Sequence, residues 1–150
     1  MKWFIYLIYT ACSISVFNLQ LKKSGLTHMF KRYITTCEAM AIIDYNTYSE
    51  RDLLEINKKI GIWTVVCEQV CRFLPFEAKC VHQSFFLYKI IRKQCKIPVS
   101  LVIGVCPYPF SAHAWIMLGN INFFEEEYET SRYNVLLRSE SYYEMGQVEH

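Results

Sequence analysis

Apolar residues recur at three- and four-residue steps through the first half of the chain, then switch to short β-branched runs in the second. Trp3 to Phe17 is an apolar run of 15 residues carrying Thr10, Ser13 and Ser15, and "LTHMFKRYI" (26–34) continues a helical pattern. "DYNTYSE" (44–50) breaks it. Ser49 with Asp52 three residues on reads as the N-cap of a long amphipathic helix. Leu53, Ile56, Ile60, Trp63, Val66, Val70 and Phe73 form one face of that helix, and Pro75 marks its end. A further helix is predicted over 78–96, with Val81, Phe85, Tyr88 and Ile91 on one side. Lys89, Arg92, Lys93 and Lys96 crowd its C-terminal end, where they complement the helix dipole. Pro98 stops it. "VSLVIGV" (99–105), "SAHAWIML" (111–118) and "INFFE" (121–125) read as three strands, joined by the "CPYPF" loop and a Gly119-Asn120 turn. Helices followed by a three-stranded antiparallel meander make an α+β fold. The expected organisation is a helical subdomain over 1–74 and a core over 75–150, within one compact domain.

Composition narrows the function classes. With 150 residues, 53% hydrophobic and 20% charged, the chain is a globular domain rather than a disordered one. A net charge of +2 argues against a nucleic-acid binder. Seven cysteines cannot all pair internally, and their apolar settings and irregular spacing point to a reducing, cytoplasmic compartment. The apolar run at 3–17 is shorter than the roughly 20 residues of a spanning helix. It reads first as a buried or surface-lying helix, then as a peripheral membrane contact, then as a signal segment. Lys22, Lys23, Lys31 and Arg32 follow it, as an interfacial anchor would have.

The chemistry centres on Cys80, at the start of the helix after Pro75. A helix N-terminus favours negative charge and so raises the thiolate fraction. A thiolate nucleophile needs a base or counter-cation, and His113 lies on a strand that packs against this helix. A Cys at a helix start, a His on a following strand and an acid on the next is the order of parts in a papain-like or transglutaminase-like cysteine enzyme. Glu125 and Glu126 end the return strand. A two-residue turn pairs Leu118 with Ile121 and sets Glu126 opposite His113; a three-residue loop sets Glu125 there. The backbone N–H of Cys80 is the first oxyanion donor to consider. Gln83 and Ser84, one turn on, are candidate substrate contacts with capping or packing as the plainer role. Phe110 and Tyr108 in the loop, and Trp115 beside the His, are likewise candidates to touch substrate or to pack. Cys67 and Cys71, with Cys80 and His82, match no closed zinc pattern and read as core cysteines. This chemistry needs no metal or organic cofactor. "EEEYE" (125–129) reads as a solvated face.

"FLPFEAKCVHQSFFLYKIIRKQCKIPVSLVIGVCPYPFSAHAWI" (73–116) resembles the transglutaminase-like B2 protein of lasso peptide biosynthesis. The resemblance rests on Cys80-Val81, Ser84, Arg92-Lys93, Ile103-Gly104-Val105, Phe110 and His113-Ala114-Trp115, in that order. It covers about 45 residues well, and the helix at 50–73 and "YNVLLR" (133–138) more loosely. It implies a leader peptidase with Cys80 as nucleophile and His113 as base. The implied partners are a lasso precursor peptide, a separate leader-binding protein and an asparagine-synthetase-like cyclase. The family usually places Asp about a dozen residues past the His. Here the acid is Glu: counting from the His favours Glu125, whereas aligning on the Gly points to Phe124. An acyl transferase using the same pair, and an inactive peptide-binding partner, are the alternative readings.

Overall fold

The computed structural model describes residues 2–37, 48–122 and 127–140. Helix α1 (Lys2–Ser24) is followed by α2 (Leu26–Thr36), the chain turning at Gly25 with φ +76°, a left-handed conformation that glycine takes without a Cβ penalty. Helix α3 (Glu50–Phe73) starts as expected. The Ser49 hydroxyl accepts from the Asp52 N–H, and the Asp52 carboxylate accepts from the Ser49 N–H, both at 3.2 Å. Its core face carries Ile56, Ile60, Trp63, Val66, Cys67 and Val70. Phe73, expected on that face, is 88% exposed. Phe73 follows Val66 by seven residues, which sets it about 20° round the helix from that position, and it is the last residue of α3.

The next helix is shorter than its apolar pattern. Helix α4 (Cys80–Ile90) passes into a π-helical turn over Ile91–Cys95, which ends at Lys96 in a left-handed conformation. The turn draws Arg92 inward. Its guanidinium donates to the Val99 carbonyl at 2.8 Å and lies 5.4 Å from the Tyr88 ring, so Arg92 is buried rather than part of a solvated basic end.

Among the described residues the sheet has four strands, not three. Strands β1 (Ser100–Pro107), β2 (Phe110–Leu118) and β3 (Ile121–Asn122) form the expected meander. After a short helix α5 (Glu127–Ser131), β4 (Asn134–Arg138) returns to the far edge of β1, giving the order β3-β2-β1-β4. "YNVLLR" lacks a clean alternation of apolar and polar residues, which hides this strand in the sequence. The strand expected over 121–125 is described only through Asn122.

One hydrophobic core joins every layer. Ile14 and Phe17 of α1, Phe30 of α2, Ile60 of α3, Phe85 of α4 and Ile116 of β2 belong to it. By length and composition α1 could cross a membrane, a test that core helices and signal sequences also meet. One side of α1 is fastened to the protein through His82. That imidazole accepts from the Lys79 N–H through Nδ1 at 3.1 Å and meets Asn18 Oδ1 through Nε2 at 3.1 Å. Nδ1 therefore carries a lone pair and the ring is neutral.

Burial holds the His82 pKa below its ordinary 6.5. Below pH 6.5 the unfolded chain therefore binds a proton that the folded chain refuses, and stability falls as pH falls. Urea midpoints at about pH 7.5 and pH 5.5 should diverge more for the wild type than for His82→Gln.

Candidate active site

Two sequence decisions place the site. Residues 75–79 bring the chain to the edge of β2, and α4 begins there at Cys80. Among the described residues, β3 pairs only with Met117 and Leu118. The edge of β2 at Ala114 is met by α4. In an antiparallel strand the N–H and C=O of one residue point to the same edge. At Ala114 both are used: the carbonyl accepts from the buried Ser84 hydroxyl at 2.7 Å, and the N–H donates to the Cys80 sulfur. The first turn of α4 is therefore fixed against the strand that carries His113.

The imidazole of His113 is hydrogen-bonded to the Cys80 sulfur. Burial raises the thiol pKa. The His113 hydrogen bond, the Ala114 N–H, the imidazole's charge and the Val81 N–H together lower it by more. The net effect holds Cys80 below the ordinary thiol value of 9.0. Two of those groups are backbone amides, one of them from the helix start, where N–H groups lack partners within the helix. The arrangement favours a thiolate nucleophile beside an imidazole that can deliver a proton.

A chain segment spanning residues 30–138 matches the model of the transglutaminase-like superfamily, well over half the length. The chain belongs to the transglutaminase-like superfamily. No curated protein and no solved structure matches it at a significant level. The superfamily generally comprises cysteine peptidases and acyltransferases, and the fold is consistent with either working through Cys, His and an acid. The match starts within α2, so the family domain takes in α3 together with the sheet.

His113 rests on an aromatic platform. The Trp115 ring stacks at 5.9 Å and the Tyr133 ring lies at 5.3 Å. Gly104, the register partner of His113 on β1, makes room beneath them. A Cβ there would lie 2.9 Å from both Trp115 Cη2 and Tyr133 Cβ. Tyr133 was not singled out in the sequence. Its hydroxyl is hydrogen-bonded to Ser111 and accepts from Arg132 Nη2 at 3.1 Å, and these contacts lower its pKa. The signal for it was the loosely matching tail that begins at Tyr133.

The other sequence candidates separate by position. Ser84 holds the Ala114 carbonyl, and the Gln83 side chain is hydrogen-bonded to Cys71 on α3. Gln83, Ser84 and Trp115 nevertheless line one small cavity of about 130 Å³ with Asn122. The Trp115 indole nitrogen is buried and, among the described residues, unpartnered, as is Asn122 Oδ1. Phe110 and Tyr108 stand out into solvent, 78% and 92% exposed. The β2–β3 turn is the two-residue one, pairing Leu118 with Ile121. Glu125 and Glu126 lie outside the described residues. All seven cysteines are free thiols, with Cys67 and Cys71 hydrogen-bonded to each other.

Removing the His113 hydrogen bond leaves burial less opposed. In His113→Ala the pH midpoint of Cys80 alkylation should therefore move up, slowing iodoacetamide labelling at neutral pH; mass spectrometry of the Cys80 peptide reads this. Gly104→Ala should lose about 1–3 kcal/mol in urea unfolding, as overpacked sites do. It should also weaken the His113 effect on labelling.

Proposed function

We propose that the chain is a cysteine peptidase that removes the leader from a ribosomally made lasso peptide precursor. What supports this reading is the Cys80–His113 hydrogen bond at the start of α4, within a stretch that resembles the lasso B2 proteins at an ordered set of positions. The Cys80 thiolate attacks the scissile carbonyl and forms an acyl-enzyme, His113 protonates the leaving amine, and water then releases the acyl group. The Cys80 backbone N–H is the assigned oxyanion donor. The orienting acid is one of two glutamates: the count from His113 in the resembling family favours Glu125, and continuing the register of the two-residue turn favours Glu126. Trp115 and Asn122 carry an unpaired donor and acceptor on the small cavity they line with Gln83 and Ser84, and Trp115 is a proposed substrate contact. Gln83, Ser84 and Phe110 complete the proposed substrate contacts. The precursor is presented by a separate leader-binding protein, and the freed amine passes to an asparagine-synthetase-like cyclase.

The same acyl-enzyme could be resolved by an amine. Both outcomes share Cys80 and His113, so the product separates them: a free carboxylate marks hydrolysis, a new amide marks transfer.

Leader release from a candidate precursor with its leader-binding protein, followed by mass spectrometry, tests the proposal. Wild type should release leader with a free carboxylate, Cys80→Ala should fall to background, and His113→Ala should lose at least about 100-fold. Equal release by wild type and Cys80→Ala would remove the nucleophile assignment. Glu125→Ala against Glu126→Ala then separates the two acids.

A further inference from the structure

Helix α1 is apolar on both sides, and the described residues pack on one of them. Thr10, Ile14, Phe17 and Asn18 are buried, and Asn18 is tied to His82. On the other side Ile5, Ile8, Cys12, Val16 and Leu19 follow one another at steps of three and four residues, so they form a single stripe. All five are exposed, Leu19 and Ile5 at 67% and 58%. Scattered exposed apolar residues are ordinary, whereas a continuous stripe over four turns marks a surface that meets something apolar.

Charge says what that surface meets. The first 37 residues contain Lys2, Lys22, Lys23, Lys31 and Arg32 and no Asp or Glu, although the whole chain has 14 acidic residues. Beside the stripe, α1, α2 and the end of α4 enclose an open groove of about 390 Å³. Cys12 and Val16 of the stripe form one wall. Arg32, Lys89 and Lys93 supply its charge, and no carboxylate lines it among the described residues. The hydroxyl-bearing residues Tyr9, Ser13 and Tyr33 also line it. Cations with hydroxyl donors and no competing acid are the chemistry that holds a phosphate. An apolar stripe with that groove at its flank fits a lipid, whose phosphate and acyl chain are joined.

We propose that α1 lies along an anionic phospholipid bilayer, its stripe in the acyl boundary and a lipid phosphate seated among Arg32, Lys89 and Lys93. The helix does not span, because its opposite side is packed into the core and fastened through Asn18 and His82. Cys80 is on the other end of α4 from Lys89 and Lys93, so the docked protein keeps its reacting pair free of the membrane-facing groove. The surface stands whether or not the peptidase reading does.

The test is sedimentation of the full chain with vesicles of phosphatidylcholine alone and of phosphatidylcholine containing phosphatidylglycerol. The expected result is salt-sensitive binding to the anionic vesicles only. Arg32→Glu/Lys89→Glu/Lys93→Glu should weaken it at least about tenfold with an unchanged thermal melt. Because that variant can fail to fold, a tryptophan placed on the stripe in Ile8→Trp gives a second readout, since Ile8 is 49% exposed there while Trp63 and Trp115 are buried. Fluorescence of Ile8→Trp should be quenched by anionic brominated vesicles. Equal binding to both vesicle types, or no loss in a folded triple variant, would overturn the phosphate seat. Saturation by soluble glycerol phosphate without vesicle binding would show a free phosphate site and overturn the bilayer assignment. Self-association that Ile8→Glu/Leu19→Glu abolishes, with no vesicle binding, would assign the stripe to a second copy and overturn it too.

Discussion

The backbone of Ala114 is the hinge point of this molecule. A strand edge leaves N–H and C=O groups that must find partners, and an unpaired buried backbone group costs about as much as a lost hydrogen bond. Here the partners come from a helix. Ser84 takes the carbonyl and Cys80 receives the N–H, so satisfying one residue's backbone fixes both the rotation and the height of α4. The neighbouring residue on β2 is His113. Its proximity to Cys80 follows from this seating and does not depend on a separate, flexible arrangement of two side chains.

The same seating explains how a half-buried thiol can be acidic. Burial alone penalises the charged form, and a cysteine deep in an apolar wall is inert. Cys67 shows that outcome on α3, its pKa raised by the Cys71 hydrogen bond and by burial. Cys80 is half-buried, but fixed dipoles face it from two directions: the Val81 amide of the helix start and the Ala114 amide of the strand. Those amides are already oriented, so little reorganisation is needed when charge appears on sulfur. Gly104 belongs to the same economy of space. Its missing Cβ lets Tyr133 and Trp115 close over the sheet and hold the imidazole ring from one side.

Local rules made much of this legible in the sequence. Ser49 and Asp52 announce α3 because a capping box acts within four residues. Cys80 and His113 stood out because thiol and imidazole at a helix start and on a strand have a short list of joint uses. What stayed hidden depended on contacts distant in sequence. Nothing in the basic run 89–96 says that Arg92 turns inward, since the Val99 carbonyl that receives it is placed by the π-helical turn. β4 is invisible for the same reason: its five residues are strand because β1 offers an edge. Tyr133 joins the site only once that pairing forms. The third member of the constellation is bounded by the observed two-residue turn, and both candidate glutamates follow the last described residue of β3.

Helix α1 shows the limit of reading burial from hydrophobicity. A helix apolar all round is buried in a core or in a membrane, and in the proposed docking this one divides the two environments between its sides. The core side is fixed by directional contacts: Asn18 to His82, and Phe17 edge-on to Tyr33 and His82. Those contacts need one rotation of the helix. With that rotation set, the remaining apolar residues are committed to the outside, and no rearrangement short of detaching α1 can bury them in the same core. The absence of acid from residues 1–37 then acts over a longer range than any contact, leaving the five Lys and Arg of that segment without a local counter-charge. Packing decides which stripe is left over, and charge decides what kind of surface the stripe can approach.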